Sequence, residues 1–222
     1  MINNFDAAIF DMDGTITNNM HLHAEAFVIF GRRYELAPPS PDVAAGLSGK
    51  RNREILPVLF SRELTDEEIE RYAEEKERIY HTLMDAITLL PGFTRLLDLL
   101  DARGVPVGLA TSAPAINVEP MLRVLGMERR FAAVTLGSEV PNGKPAPDIF
   151  LEAARRLGVP PGRCLAFEDA YSGVAAAKAA GMRCVALATT HTADELRANT
   201  AADLIVQDYE ELLALQAELA PS

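Results

Sequence analysis

The sequence has no tryptophan, few aromatic residues and a shortage of positive charge. Its 21 Lys and Arg stand against 32 Asp and Glu, a formal net charge of −11. That deficit argues against nucleic acid or an anionic membrane surface as a partner, because both call for a basic face. Cysteine is scarce as well. Cys164 and Cys184 each open an apolar run and form no close-set metal motif, so both are expected reduced and packed in a core, as in a cytoplasmic protein. No apolar run approaches the roughly 18 residues of a membrane span. The opening MINNFDAAIFD carries no basic stretch ahead of its short apolar run, so no signal peptide is expected.

What the chain does have is apolar content, 49% over 222 residues, enough for a large core and more length than one typical domain needs. Residues 7–10 (AAIF) read as a short buried strand. From about 20 to 86 the texture is helical, with segments HLHAEAFVIFGRRY, KRNREILPVLFSREL and TDEEIERYAEEKERIYHTLMDAI. Thr65 and Glu68 form a capping box for the third. In it Ile69, Tyr72, Ala73, Lys76, Ile79 and Tyr80 recur at helical spacing, and the alternating charges of DEEIERYAEEKER are expected on a solvated face.

After Pro91 and Gly92 the rhythm becomes helix then strand. Helices at 93–103, 115–125, 146–157, 171–180 and 209–219 alternate with strands at 105–110, 132–136, 164–167, 183–188 and 204–206. Gly104, Gly126, Gly158 and Gly181 sit where helices end. Alternation without hairpin signals predicts a doubly wound parallel sheet, an α/β Rossmann-like core made of residues 1–17 and 88–222. Residues 18–87 are then an inserted helical domain. Ligands of such sheets bind beyond the carboxyl ends of the strands. That rule selects Asp11 and Asp13, Thr111 and Ser112, Lys144, and Glu168 and Asp169.

A strand that ends on two aspartates carries a cost in repulsion and desolvation. Asp11, Asp13, Glu168 and Asp169 make an all-oxygen acidic set that suits Mg²⁺, which would offset that cost. With Lys144 and a strand-end hydroxyl, the set is one that handles phosphoryl groups. The string GSEVPNGK at 137–144 mimics a P-loop, but its glycine spacing is one residue too long and a proline replaces the Ser/Thr.

DMDGT at 11–15, the Thr-Ser of LATSA at 109–113, KPAPD at 144–148 and FED at 167–169 together resemble the four motifs of the haloacid dehalogenase superfamily. The helical insertion resembles that superfamily's smaller cap, and the group it is most similar to holds β-phosphoglucomutase and small sugar-phosphate phosphatases. The resemblance implies that Asp11 is a nucleophile forming an aspartyl-phosphate. It makes Asp13 the acid–base group, whose main-chain carbonyl also ligates the metal. Thr111, Ser112 and Lys144 would hold phosphoryl oxygens, and Asp169 would ligate the metal with Glu168 direct or through water. Hydrolytic dehalogenases need no Mg²⁺ and lack the second aspartate, so Asp13 sets dehalogenation aside.

Within the cap, His23 stands where the mutase-like group has a histidine near the acid–base aspartate; it also reads as an ordinary residue of the first cap helix. His21, His81 and His191 are expected to be solvated. The segment 46–54, GLSGKRNRE, reads as a substrate-specificity loop turning at Gly49, with Ser48, Lys50, Arg51, Asn52 and Arg53 around it. β-Phosphoglucomutase has a lysine at the place of Ser48 and an arginine at that of Asn52. It also has polar groups where Ala113, Pro114 and Ala115 stand. These departures point to a Mg²⁺-dependent phosphatase of small phosphomonoesters, sugar phosphates above all, acting on a small phosphorylated metabolite, with β-phosphoglucomutase as the alternative. A non-catalytic phosphometabolite-binding protein is a remote third reading, since both aspartates are intact. A monomer with hinges near 16–19 and 86–91 would suffice.

Overall fold

A computed structural model describes residues 4–84 and 87–218. Six parallel strands form one sheet, β1 (Ala7–Phe10), β2 (Val107–Thr111), β3 (Ala133–Leu136), β4 (Cys164–Glu168), β5 (Arg183–Leu187) and β6 (Leu204–Val206), in the order β3-β2-β1-β4-β5-β6. The strands are short and mostly apolar, because helices cover both faces and the central strands are buried along their length. Alternate residues of β1 feed two cores. Phe10 stacks on Phe167 at 4.3 Å and meets Phe93 and Tyr209 on one face. Ala7 and Ile9 pack with Phe150, Ala166 and Cys184 on the other. Both cysteines are buried free thiols, as expected.

The helices around the sheet are α5 (Phe93–Ala102), α6 (Ala115–Val124), α7 (Asp148–Leu157), α8 (Tyr171–Ala179), α9 (Ala193–Asn199) and α10 (Tyr209–Glu218). Chain order reverses at β1, which pairs with β2 on one side and β4 on the other. In such sheets the ligand crevice lies at that switch point, beyond the carboxyl end of β1. The strand expected from 105 begins only at Val107, since Pro106 has no N–H for a ladder; its carbonyl still accepts from Ala8 N at 3.1 Å.

Among the described residues between β1 and α5 lie four α-helices, α1 (Met20–Arg33), α2 (Pro41–Leu47), α3 (Asn52–Phe60) and α4 (Asp66–His81). The sequence predicts three. The extra one, α2, is seven residues long, too short to show a period, and starts on Pro41 at N1 with Ser40 as its N-cap. Helix α4 opens on the capping box of Thr65 and Glu68, as expected. Phe30, Tyr34, Phe60 and Tyr72 form an aromatic cluster that joins α1, α3 and α4, with Phe60 stacked on Tyr72 at 4.5 Å. The block re-enters the core through paired linkers: Leu90 N donates to Ile16 O at 2.9 Å, and Thr17 bridges to Leu89. The expected hinge at 86–91 begins on Ala86, outside the described residues.

Helix α4 corrects one expectation directly. Its charged stretch is not all solvated: Lys76 and Glu77 are each 2% exposed. The lysine lies on the apolar stripe itself, one turn from Tyr72 and from Tyr80. His23 of α1 and the neighbouring Glu77 hold it there.

Candidate active site

The crevice gathers Asp11, Thr111, Lys144, Glu168 and Asp169, all buried. Lys144 Nζ donates to Asp11 Oδ1 and to Glu168 Oε1, both at 2.5 Å, and to Ala110 O at 3.3 Å. Burial works against its charge, but Asp11 and Glu168 outweigh that and hold the ammonium above the ordinary lysine range. Glu168 Oε2 accepts from the main-chain N–H groups of Asp169 (2.9 Å) and Ala170 (3.1 Å). Asp169 takes the hydroxyl of Thr190 on one oxygen and that of Thr15, at 3.3 Å, on the other.

Two glycines make this density possible. A Cβ on Gly173 would sit 1.9 Å from the Glu168 carboxyl. Gly14, with φ of +81°, turns the chain away where a Cβ would lie 2.1 Å from Asp169 Oδ2.

One oxygen each from Asp11, Glu168 and Asp169 lie within 4.8 Å of one another, and the ammonium of Lys144 contacts only the first two of these groups. Burial pushes the Asp11 carboxyl up to about 8, with Glu168 adding to the rise and Lys144 opposing it. Burial lifts Asp169 well above the carboxylate range, with Glu168 and Asp11 contributing. The set therefore needs either protons or a further cation to be at ease. Hard oxygen donors at this spread fit a small divalent ion.

Asp13 lies apart from that cluster. Its Oδ1 accepts from Asn19 Nδ2 at 2.5 Å and lies 3.4 Å from His23 Nε2. Burial disfavours its charge, yet His23 and Asn19 keep it below the ordinary carboxylate range. Its carboxylate is thus not one of the clustered oxygens, and the resemblance leaves only its main-chain carbonyl for a metal. His23 stacks on Tyr80 at 3.8 Å and accepts at Nδ1 from Lys76 Nζ at 2.8 Å. That donor places the imidazole proton on Nε2, toward Asp13.

The loop 48–51 reaches the crevice through three contacts. Ser112 Oγ donates to Gly49 O at 2.8 Å, Ser172 Oγ to Ser48 O at 2.8 Å, and Arg51 Nη1 to Gly137 O at 3.2 Å. Gly49 turns the loop with φ of +75°. Thr111 Oγ1 is occupied by Ala113 N at 3.0 Å. Lys50 is half-buried. Asn52 turns inward, donating to Glu77 at 2.6 Å. Arg53 is not brought in: it is exposed and paired with Asp66 on the surface.

The sequence reading missed Asn19, Lys76, Glu77, Tyr80 and Asn117, and the one available signal was a lysine on an apolar stripe. It also placed two histidines wrongly. His81 is half-buried against Asn117, and His191 is buried, stacked on Tyr171 at 3.8 Å. His21 is exposed, as expected.

A doubly wound sheet that collects an aspartate, a lysine and two further acids at its switch point has the charged, buried arrangement of an enzyme site. The family model for haloacid dehalogenase-like hydrolases matches residues 5–181. The chain is 34% identical to a phosphorylated carbohydrates phosphatase of Thermotoga maritima, over 80% of this chain and 82% of that one. It is 35% identical to β-phosphoglucomutase of Bacillus subtilis, over 79% and 80%. The crystal structure of β-phosphoglucomutase from Clostridium difficile superposes with a TM-score of 0.84 at 28% identity, covering 96% of each chain. The chain belongs to the haloacid dehalogenase-like hydrolase family, and it is an enzyme among that family's phosphatases and phosphoglucomutases.

Proposed function

We propose that this enzyme is a Mg²⁺-dependent phosphatase of small phosphomonoesters, sugar phosphates above all, working through an aspartyl-phosphate on Asp11. The observation that carries the reading is the contrast between two aspartates two residues apart. Asp11 lies against Lys144, whereas Asp13 lies against Asn19 and His23. One is set for a phosphoryl group and the other for a proton. Residues 18–87 serve as a cap over the crevice, in a monomer of the cytoplasm whose partner is a small phosphorylated metabolite.

In the first step an Asp11 oxygen bonds to phosphorus while the P–O bond to the leaving group breaks. The leaving oxygen takes its proton from Asp13. Asp13 is ionised in the ligand-free site; the dianionic substrate disfavours that charge and brings the proton onto it. In the second step water attacks phosphorus, Asp13 accepts the water's proton, and the Asp11–phosphorus bond breaks to give inorganic phosphate. Lys144 and Thr111 hold phosphoryl oxygens, with Ser112 beside them. Asp11, Glu168 and Asp169, with the Asp13 carbonyl, would hold Mg²⁺, which supplies charge neutralisation when bound.

Phosphatase is favoured over mutase by the second-phosphate side of the site. Asn52 is uncharged and committed to the buried Glu77, and Arg51 is committed to Glu54 and Gly137. The test is ³¹P NMR with Mg²⁺ and a panel of sugar phosphates, including β-glucose 1-phosphate with a trace of the 1,6-bisphosphate. Inorganic phosphate is expected. Conversion to glucose 6-phosphate without phosphate release would establish the mutase instead, and turnover surviving in Asp11→Asn would overturn the mechanism.

A further inference from the structure

A buried carboxylate follows Lys76 directly, and acid–base chemistry at Asp13 does not by itself require it. Both oxygens of Glu77 are fully engaged. Oε1 accepts from Lys76 at 3.1 Å and from Asn52 at 2.6 Å; Oε2 accepts from Lys76 at 3.2 Å and from Asn117 at 2.8 Å. Lys76 and Asn52 belong to the same helical block as Glu77. Asn117 does not: it lies in the first turn of α6, after β2, and is wholly buried.

Asn117 also accepts at Oδ1 from His81 Nε2 at 2.7 Å. Glu77 and His81 are one turn apart on α4, so a single amide of the core spans two positions on the block. A carboxylate can only accept, so the Asn117 NH₂ must face Glu77 and its carbonyl must face His81. The contact is specific in orientation as well as in place. From it an unbroken line of polar contacts leads to the site: Asn117 to Glu77, Glu77 to Lys76, Lys76 to His23 at 2.8 Å, and His23 to Asp13 at 3.4 Å. The three contacts made by loop 48–51 bypass this line.

We propose that Asn117 and Glu77 are positioning residues that couple docking of α4 on α6 to the placement of His23 against Asp13. The proposal rests on the reading of Asp13 as the acid–base group. When α4 lifts from α6, Glu77 Oε2 and His81 lose their buried partner and water replaces it. Glu77 then holds Lys76 less firmly, and His23 loses the donor that fixes its tautomer. The acid–base group is therefore ordered when the crevice is shut and disordered when it is open, which ties proton transfer to water exclusion.

The experiment compares the wild type with N117A, N117D and the swap N117D/E77Q. Asn117→Ala is expected to lower kcat about thirtyfold, a part of the roughly 10²–10⁴-fold that acid–base catalysis supplies, while KM changes less than about threefold. Asn117→Asp sets two carboxylates face to face and is expected to be worse. The swap restores the bond with the roles exchanged, because the amide it introduces on α4 donates to the new carboxylate on α6. It is expected to recover at least about tenfold in kcat over N117D, a coupling that a double-mutant cycle reads directly. Amide hydrogen exchange without substrate gives an independent readout: segments 13–19 and 73–81 are expected to exchange about tenfold faster in N117A. An unchanged kcat in N117A, unchanged exchange there, or a swap no better than N117D overturns the proposal. A wild type that turns over nothing on the sugar-phosphate panel overturns the phosphatase reading instead, and exchange then decides the pair alone.

Discussion

The two sides of the crevice solve the problem of buried charge in opposite ways. On the sheet side Asp11 and Glu168 share one ammonium, Lys144, Asp169 pairs only with hydroxyls among the described residues, and burial with the surplus of negative charge pushes carboxyls up. On the helical side Asp13 and Glu77 face Lys76, His23 and three amides, and both carboxyls are held low although burial opposes it. The sheet side is built to be completed by something else. The helical side pairs its two carboxylates with groups of its own. Charge imbalance marks where ligands go, and balance marks what holds them in place.

The sharpest way to break this comparison is to remove one aspartate or one lysine. Asp11→Asn is expected to lower kcat by on the order of 10⁶, the scale of loss when a nucleophile is removed. Lys76→Met acts only through His23 and is expected to cost about a hundredfold. It should also destabilise the fold by about 3 kcal/mol, because Glu77 is left buried without its ammonium. Stopped assays and urea titrations measure both. Equal kinetic losses in the two variants would mean that the sides do not differ as described.

Cation binding separates the sides next. If only the sheet side is incomplete, Mg²⁺ at about a hundred times its Kd should stabilise the wild type by about 2.7 kcal/mol. That corresponds to a rise in Tm of about 5–10 °C for a chain of this size. Lys76→Met should show the same rise, and Asp169→Asn should show almost none. Thermal melts in EDTA and in Mg²⁺ check this; an equal rise in Asp169→Asn would place the ion elsewhere.

Gly173→Ala tests how tightly the sheet side is packed. The added Cβ would meet the Glu168 carboxyl at 1.9 Å, so the acid must move. The expected cost is about 1–3 kcal/mol of stability, together with a weaker response to Mg²⁺. A variant with wild-type stability and wild-type response would show that Glu168 has room to spare.

The same asymmetry explains what could be read from the sequence. The sheet side was legible because each of its residues follows a strand, and strand ends converge at the switch point whatever the loops do. Short apolar runs such as AAIF and CLAF located those ends to within a residue or two. The helical side depends on which way α4 is rotated and on which core helix it meets. Lys76 and Glu77 lie within a stretch of alternating charge that looks solvated, and nothing local names Asn117 as their partner across 40 residues. Helix α2 was missed for a simpler reason, since seven residues cannot display a helical period.

His191 offers the smallest effect, at the rim of the sheet side. Expected in solvent, it is 7% exposed and stacked on Tyr171, and burial pushes its pKa below the ordinary value, with Glu195 opposing. The folded protein therefore favours the neutral ring. Between the lowered folded pKa and the unfolded value of about 6.5, the unfolded chain binds more protons, so stability rises with pH across that window. The ring's contribution is fully present above about pH 6.5 and is lost as pH falls through the folded pKa. Replacing it with phenylalanine, which keeps the stack and cannot titrate, should flatten that limb. Tm measured between about pH 5 and 7.5 should fall more steeply toward acid in the wild type than in His191→Phe, by about 1–3 °C in total. Parallel curves would mean that the imidazole reaches water in spite of its burial.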